Sequence, residues 1–227
     1  MLIRRLLLIV LLFGSLPSHA QLLWQEGVNY KKLPNPQTAG GVPVGKIEVA
    51  EVFSYGCIYC YRAKGEIAKL AAALPADAAM TYVHASFAPA EAWPMFQRAY
   101  YTARKLGIAD AMHDSVFTAV WESGEIPLLD IATGRIRKPL PTIEDAAKFY
   151  SRLGSVKVAD FLKTAASPEI EADMRRADEL SKLWMVPGTP ALVVNGRYIV
   201  DNSQPHAQQR QVALFLVSLE RTRLKTK

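Results

Sequence analysis

The sequence predicts an α/β fold opened in its middle by an all-helical subdomain. Three observations carry that prediction. A Cys57-Ile58-Tyr59-Cys60 motif stands where a strand gives way to a helix, helical spacing dominates from about residue 89 to 184, and Asn195-Gly196 separates two β-rich runs ahead of a last helix.

The chain opens on the layout of an export signal. Arg4 and Arg5 supply a positive start, Leu6 to Phe13 an unbroken apolar run, Gly14 and Pro17 a break, and Ser18-His19-Ala20 small residues at the positions a signal peptidase reads. A membrane anchor needs roughly 20 apolar residues, far more than this run supplies. No Cys follows the run that could carry a lipid. Cleavage after Ala20 would leave 207 of the 227 residues, and the formal charge of +6 would fall to +4 with Arg4 and Arg5 gone. So mild an excess, with basic and acidic residues interleaved, does not point to nucleic acid. The basic cluster Arg221, Arg223, Lys225 and Lys227 ends a predicted helix, where it complements the negative end of the dipole.

Lys46 to Ser54 reads as a buried strand, dense in Val, Ile and Phe. The helix after it has Ala63, Ile67, Leu70 and Leu74 on one face and stops at Pro75. Gly65 inside it costs about 1 kcal/mol relative to Ala, so a kink or a close backbone contact is expected there. Met80 to Ser86 is a second strand. Helical spacing then covers Phe96 to Leu106, Asp110 to Trp121, Ile143 to Leu153, Val158 to Ala166 and Pro168 to Trp184, separated by turn signals such as Thr133-Gly134 and with no convincing strand. Ala191 to Val194 and Arg197 to Val200 flank Asn195-Gly196, a type I′ hairpin signal because both turn residues need positive φ. A final helix is expected from about Pro205 to Leu224, with Ser203 as its N-cap. The order is β-α-β, helices, ββ-α, a thioredoxin-like layout. The expected division is a signal peptide over 1–20, the first part of the thioredoxin-like domain over 21–88, the helical insertion over 89–177 and the second part over 178–227.

Both cysteines of the chain lie in the one motif. A thiolate is the nucleophile of disulfide exchange, and the free N–H groups at a helix start stabilise it. Cys57 is therefore expected to be the exposed attacking thiol and Cys60, one turn in, the buried resolving one. A structural zinc site needs four N or S ligands, and beyond the leader the chain adds only His84, His113 and His206 to this single pair. Inert buried cysteines are the other alternative, and their placement at a strand-to-helix junction argues for redox chemistry instead. Val186-Pro187-Gly188-Thr189-Pro190 enters the hairpin, and a cis Thr189–Pro190 bond beside the cysteines is expected, an ordinary turn proline being the alternative. Thr189 would keep its backbone free to pair with an extended substrate. Glu51 interrupts an apolar strand six residues before Cys57, so it is expected buried, with a raised pKa, able to exchange a proton near Cys60. The alternative is an edge-strand residue facing water.

Glu51-Val-Phe-Ser-Tyr-Gly-Cys57 with Cys60-Tyr61, then Arg98-Ala-Tyr-Tyr, Leu106-Gly107 and His113-Asp-Ser-Val-Phe117, and Gly188-Thr-Pro-Ala-Leu-Val-Val-Asn-Gly-Arg-Tyr198, together resemble the DsbA family of periplasmic disulfide oxidases across nearly the whole chain after the leader. The resemblance implies a Cys57–Cys60 disulfide passed to reduced, unfolded exported proteins, and reoxidation by a DsbB-like membrane quinone reductase. It implies a periplasmic monomer with no cofactor and no metal. Cys57, Cys60 and Glu51 are the expected catalytic residues, and Ile58, Tyr59, Thr189 and Pro190 the expected substrate contacts. Two departures stand out. The family usually has Pro-His between its cysteines, where Ile58-Tyr59 stand here, so Cys57 should be less acidic and the disulfide less oxidising. The family often pairs its buried Glu with a Lys on the next strand, where this chain has Tyr82, with His84 two further on, either of which could share the Glu51 proton. A disulfide reductase or isomerase of the same fold is the nearest alternative, and a non-catalytic binding or metal-delivery module is the more distant one.

Overall fold

The computed structural model describes residues 24–153 and 156–226, so the export signal expected over 1–20 lies outside the described residues. Strands β1 (Tyr30–Lys32), β2 (Ile47–Phe53), β3 (Ala78–His84), β6 (Ala191–Val194) and β7 (Tyr198–Val200) form one sheet in the order β1-β7-β6-β2-β3. β2 is central, parallel to β3 and antiparallel to β6, and all seven of its residues are buried. Its unbroken burial explains a dense apolar run in place of alternation.

Helices α1 (Ile58–Ala73) and α7 (His206–Lys225) cover one face, packing Ala63, Ile67 and Leu70 with Val212, Leu216 and Val217 against Val49, Leu192 and Val194. On the other face lie α2 (Trp93–Lys105), α3 (Ala109–Trp121), α4 (Ile143–Arg152), α5 (Val158–Ala165) and α6 (Pro168–Leu183). They bury Phe96, Phe117, Tyr150, Phe161 and Ile170 together with Ala50 and Val52 of β2. The fold is therefore the α/β class with a helical insertion that the periodicities indicate. α6 runs unbroken through the division expected between residues 177 and 178.

Several local expectations need correction. Leu129–Asp130 (β4) and Arg135–Ile136 (β5) form a small antiparallel hairpin inside the helical block, where no strand was predicted. Two-residue strands are too short to show a period of two. β1 was not predicted either, because only Tyr30 of its three residues is buried. Gly65 meets nothing within 4 Å of an added Cβ, and α1 continues through it, so neither a close contact nor a break accounts for it. Ser203 is not the cap of α7. The N-cap is Pro205, and the Ser203 N–H donates instead to Asp201 Oδ1 at 2.9 Å. In the C-terminal cluster Arg223 and Lys225 do lie in the last turn of α7, while Arg221 makes a bidentate pair with Asp77, both distances 2.6 Å, and Arg223 also pairs with the buried Glu220.

Candidate active site

Cys57 is the N-cap of α1, in extended conformation. The turn that delivers it is built from the end of β2. The Cys57 N–H donates to the Ser54 carbonyl at 3.0 Å, and the Gly56 N–H donates to Ser54 Oγ at 3.1 Å. The Tyr55 N–H donates to His84 Nε2 at 3.1 Å, while the Tyr55 carbonyl accepts from Trp121 Nε1 at 2.8 Å. A Cβ on Gly56 would stand 2.7 Å from Trp93 Cδ1 and 3.2 Å from the Glu91 carbonyl, so only glycine lets the insertion pack this closely on the turn.

The two thiols, both free here, are held in opposite ways. The Cys57 pKa is lowered to about 6, first by a hydrogen bond from Cys60. The Thr189 hydroxyl and the backbone N–H groups of Cys60 and Tyr59 add to this, against the opposing effect of burial. The Cys60 thiol is pushed well above the ordinary range, chiefly by burial and then by its bond to Cys57 and by the charges of Cys57 and Glu51. The N–H groups of the helix start thus contribute as expected but less than the Cys60 thiol does, and the result stops well short of the roughly 3.5 that the most acidic such thiols reach.

Opposite Cys57 stands the loop entering β6. The Thr189–Pro190 peptide bond is cis, and Cys57 Sγ donates to the Thr189 carbonyl at 3.4 Å. The Thr189 hydroxyl is buried and has no other partner among the described residues, which leaves it free to favour the thiolate. Cys57 is not exposed as expected. It is 5% exposed against 1% for Cys60, because Thr189 and the packed turn close around it. It lies in the wall of a groove of about 690 Å³, which is the route by which another sulfur would reach it.

Glu51 is 2% exposed and sits on the central strand in register between Tyr82 of β3 and Leu192 of β6, which excludes an edge position. Burial, and next the charge of Cys57, raise its pKa to about 8. It does not line the groove. It faces a separate cleft of about 570 Å³ between α1, β3 and α3, shared with Lys64, Tyr82 and His113. His84 is not its partner. The His84 ring is fully buried, accepts from Tyr55 N–H at Nε2 and contacts the Ala85 carbonyl through Nδ1 at 2.9 Å. Burial depresses its pKa to about 3, so it stays neutral. The Tyr59 phenol is also not a thiolate donor. The residue is 59% exposed, Arg62 stands 6.0 Å above its ring, and its backbone N–H is what reaches Cys57.

Trp121 and Trp93 support the site without having been singled out in the sequence, and His84, named there only as a possible proton partner of Glu51, supports it as well. The two indoles read there as ordinary core positions, and all three residues act on parts of the chain far off in sequence, as with the 29 positions between Tyr55 and His84 and the 66 between Tyr55 and Trp121.

A model of the DSBA-like thioredoxin domain matches residues 48–213. The thiol:disulfide interchange protein DsbA of Azotobacter vinelandii is 32% identical over 201 residues, spanning 86% of this chain and 84% of the relative. The protein of the same name from Pseudomonas aeruginosa is 30% identical over 207 residues, 89% of this chain and 88% of the relative. The crystal structure of the oxidoreductase DsbA from Xylella fastidiosa superposes with a TM-score of 0.76 at 32% identity, covering 88% of this chain and 99% of that one. That of Pseudomonas aeruginosa DsbA gives 0.74 at 29% identity, with 89% and 97% covered. With an acidified helix-capping thiol facing a cis-proline loop, and a family match over most of its length, the chain belongs to the DSBA-like thioredoxin domain family and is a thiol:disulfide oxidoreductase.

Proposed function

We propose that this protein is a dithiol oxidase of the periplasm that introduces disulfides into reduced, exported proteins. The observation that carries this reading is the inequality of the two thiols, an acidified Cys57 in the groove and a suppressed Cys60 behind it. In the cycle, a substrate thiolate attacks Cys57 Sγ of the Cys57–Cys60 disulfide. The S–S bond breaks, a mixed disulfide forms at Cys57, and Cys60 leaves as a thiolate. Its high proton affinity draws a proton, and Glu51, protonated at neutral pH, is the donor. A second substrate thiolate then attacks the substrate's own sulfur in the mixed disulfide and releases Cys57. The substrate has lost two electrons and two protons. Glu51 takes a proton back from solvent, so the enzyme has gained the electrons and one net proton, held on Cys60, and the other proton stays in solvent because Cys57 remains a thiolate at neutral pH.

Thr189 and Pro190 hold the incoming strand against Cys57, with the Thr189 carbonyl at its sulfur, and Ile58 and Tyr59 border the path it takes. Regeneration would fall to a DsbB-like membrane quinone reductase, and the protein would act as a monomer after loss of its leader.

Iodoacetamide should modify Cys57 and spare Cys60, with a rate that rises to a plateau around a midpoint near pH 6. A midpoint at the free-cysteine value removes the activation on which the mechanism stands. Trapping the motif in cells separates oxidase from reductase or isomerase. A mostly oxidised pair supports the proposal, and a mostly reduced pair overturns it.

A further inference from the structure

We infer that the β4–β5 hairpin of the helical insertion is a specificity element that selects an apolar side chain next to the reacting cysteine of the substrate; this rests on the exchange reading above. The groove that contains Cys57 and Thr189 is lined by Leu128, Leu129 and Ile136 of the hairpin and its base, and by Tyr59, Phe87 and Trp93. Three of these walls are large apolar side chains left open to solvent: Tyr59 at 59%, Phe87 at 45% and Ile136 at 38%. They converge on one groove that ends at the reactive sulfur. Any protein thiol that reaches Cys57 therefore brings its neighbouring residues between these walls.

The hairpin is built as a fixed arm. Its base is anchored by Ile126 and Leu128, each 1% exposed, and by Arg137 N–H donating to the Leu128 carbonyl at 2.9 Å. Its turn is closed by the Asp130 carboxylate, which accepts from Thr133 N–H at 2.9 Å. β4 and β5 pair only with each other, so the arm completes no larger sheet. The cross-strand pair Leu129–Ile136 turns apolar surface to the groove. Glu91 is the one carboxylate in the lining, and it does not belong to the hairpin. One buried polar atom in the same walls, Trp93 Nε1, lacks a partner among the described residues and suits an occupant that brings a backbone carbonyl. Such an occupant is an extended, apolar stretch of an unfolded chain.

The test uses the oxidised full protein and two dithiol peptides that differ only in carrying Leu or Ser beside the reacting cysteine, with dithiothreitol as a substrate too small to fill the groove. The wild type should prefer the Leu peptide in kcat/KM. Ile136→Ser should lower that preference about five- to tenfold, the loss expected when part of one apolar side chain is no longer buried. Ile136→Leu should restore it, and Ile131→Ser, at the exposed turn outside the groove, should leave it unchanged. Equal treatment of the two peptides by the wild type overturns the inference alone. So does a loss in Ile136→Ser that extends equally to dithiothreitol. A wild type that oxidises neither peptide nor dithiothreitol overturns the exchange reading and the inference with it.

Discussion

Cys57 and Cys60 stand one helical turn apart, yet one thiol is acidified and the other suppressed. The difference comes from which atoms can reach each sulfur. Cys57 accepts a hydrogen bond from Cys60, with the Thr189 hydroxyl and the first-turn N–H groups adding to it, while Cys60 lies beneath it, buried beside an acid. Glu51 completes the set, and its burial has a measurable stability cost. In the unfolded chain it titrates near 4.5 and in the fold near 8, so between these values the folded state holds a proton that the unfolded state has released. Stability therefore falls as pH rises through that window, by on the order of 3 kcal/mol at pH 7. Glu51→Gln, which needs no proton, should unfold at a higher temperature than the wild type at pH 7.5 and converge with it near pH 4. A difference independent of pH would mean that the carboxyl is not titrating as its burial requires. The same variant should slow the release of Cys60 from the disulfide.

At the scale of elements, the strand–turn–helix unit around the motif was legible because each part has a local cause. β2 is a continuous apolar run, α1 repeats at helical spacing, and Cys57 falls between them. The β6–β7 hairpin was legible for the same reason, since Asn195 at φ 51° and Gly196 at φ 57° adopt the turn that their types favour. The small β4–β5 hairpin was not, although its Thr133-Gly134 turn was visible. Gly65 is the informative exception. It is exposed, inside an unbroken helix, with no neighbour that an added methyl group would strike. Gly65→Ala should then stabilise the protein by about 1 kcal/mol, measured by urea unfolding of the oxidised form. A neutral or harmful effect would point to a requirement for Gly that the helix geometry does not contain.

Across the whole molecule, one connecting segment fastens the sheet to the inserted helices. Trp184 Nε1, just past the end of α6, donates to the Gln37 carbonyl at 2.8 Å, and Arg176 of α6 donates to the Ala39 carbonyl at 3.2 Å. The wholly buried Glu48 carboxylate of β2 accepts three successive backbone N–H groups, from Ala39 at 2.7 Å, Gly40 at 2.9 Å and Gly41 at 3.1 Å. Hydrogen bonds to a charged acceptor are the stronger kind, and their loss leaves three donors without their partner. Glu48→Ala should cost about 2–4 kcal/mol of global stability and lower the unfolding temperature of oxidised and reduced forms alike. A small change would show that water replaces the carboxylate without difficulty.

The sequence by itself determined where the reactive pair lies, which elements flank it and that helices interrupt the sheet, since these follow from periodicity and turn chemistry within a dozen residues. Only the tertiary structure decided which side of the sheet Glu51 faces, that His84 orients the turn rather than sharing a proton with Glu51, and that Cys57 is recessed in a groove. Those outcomes depend on contacts between distant parts of the chain, such as Cys57 with Thr189, 132 residues further on. No local pattern encodes such a contact, because burial and electrostatic environment belong to the assembled surface and not to either segment alone.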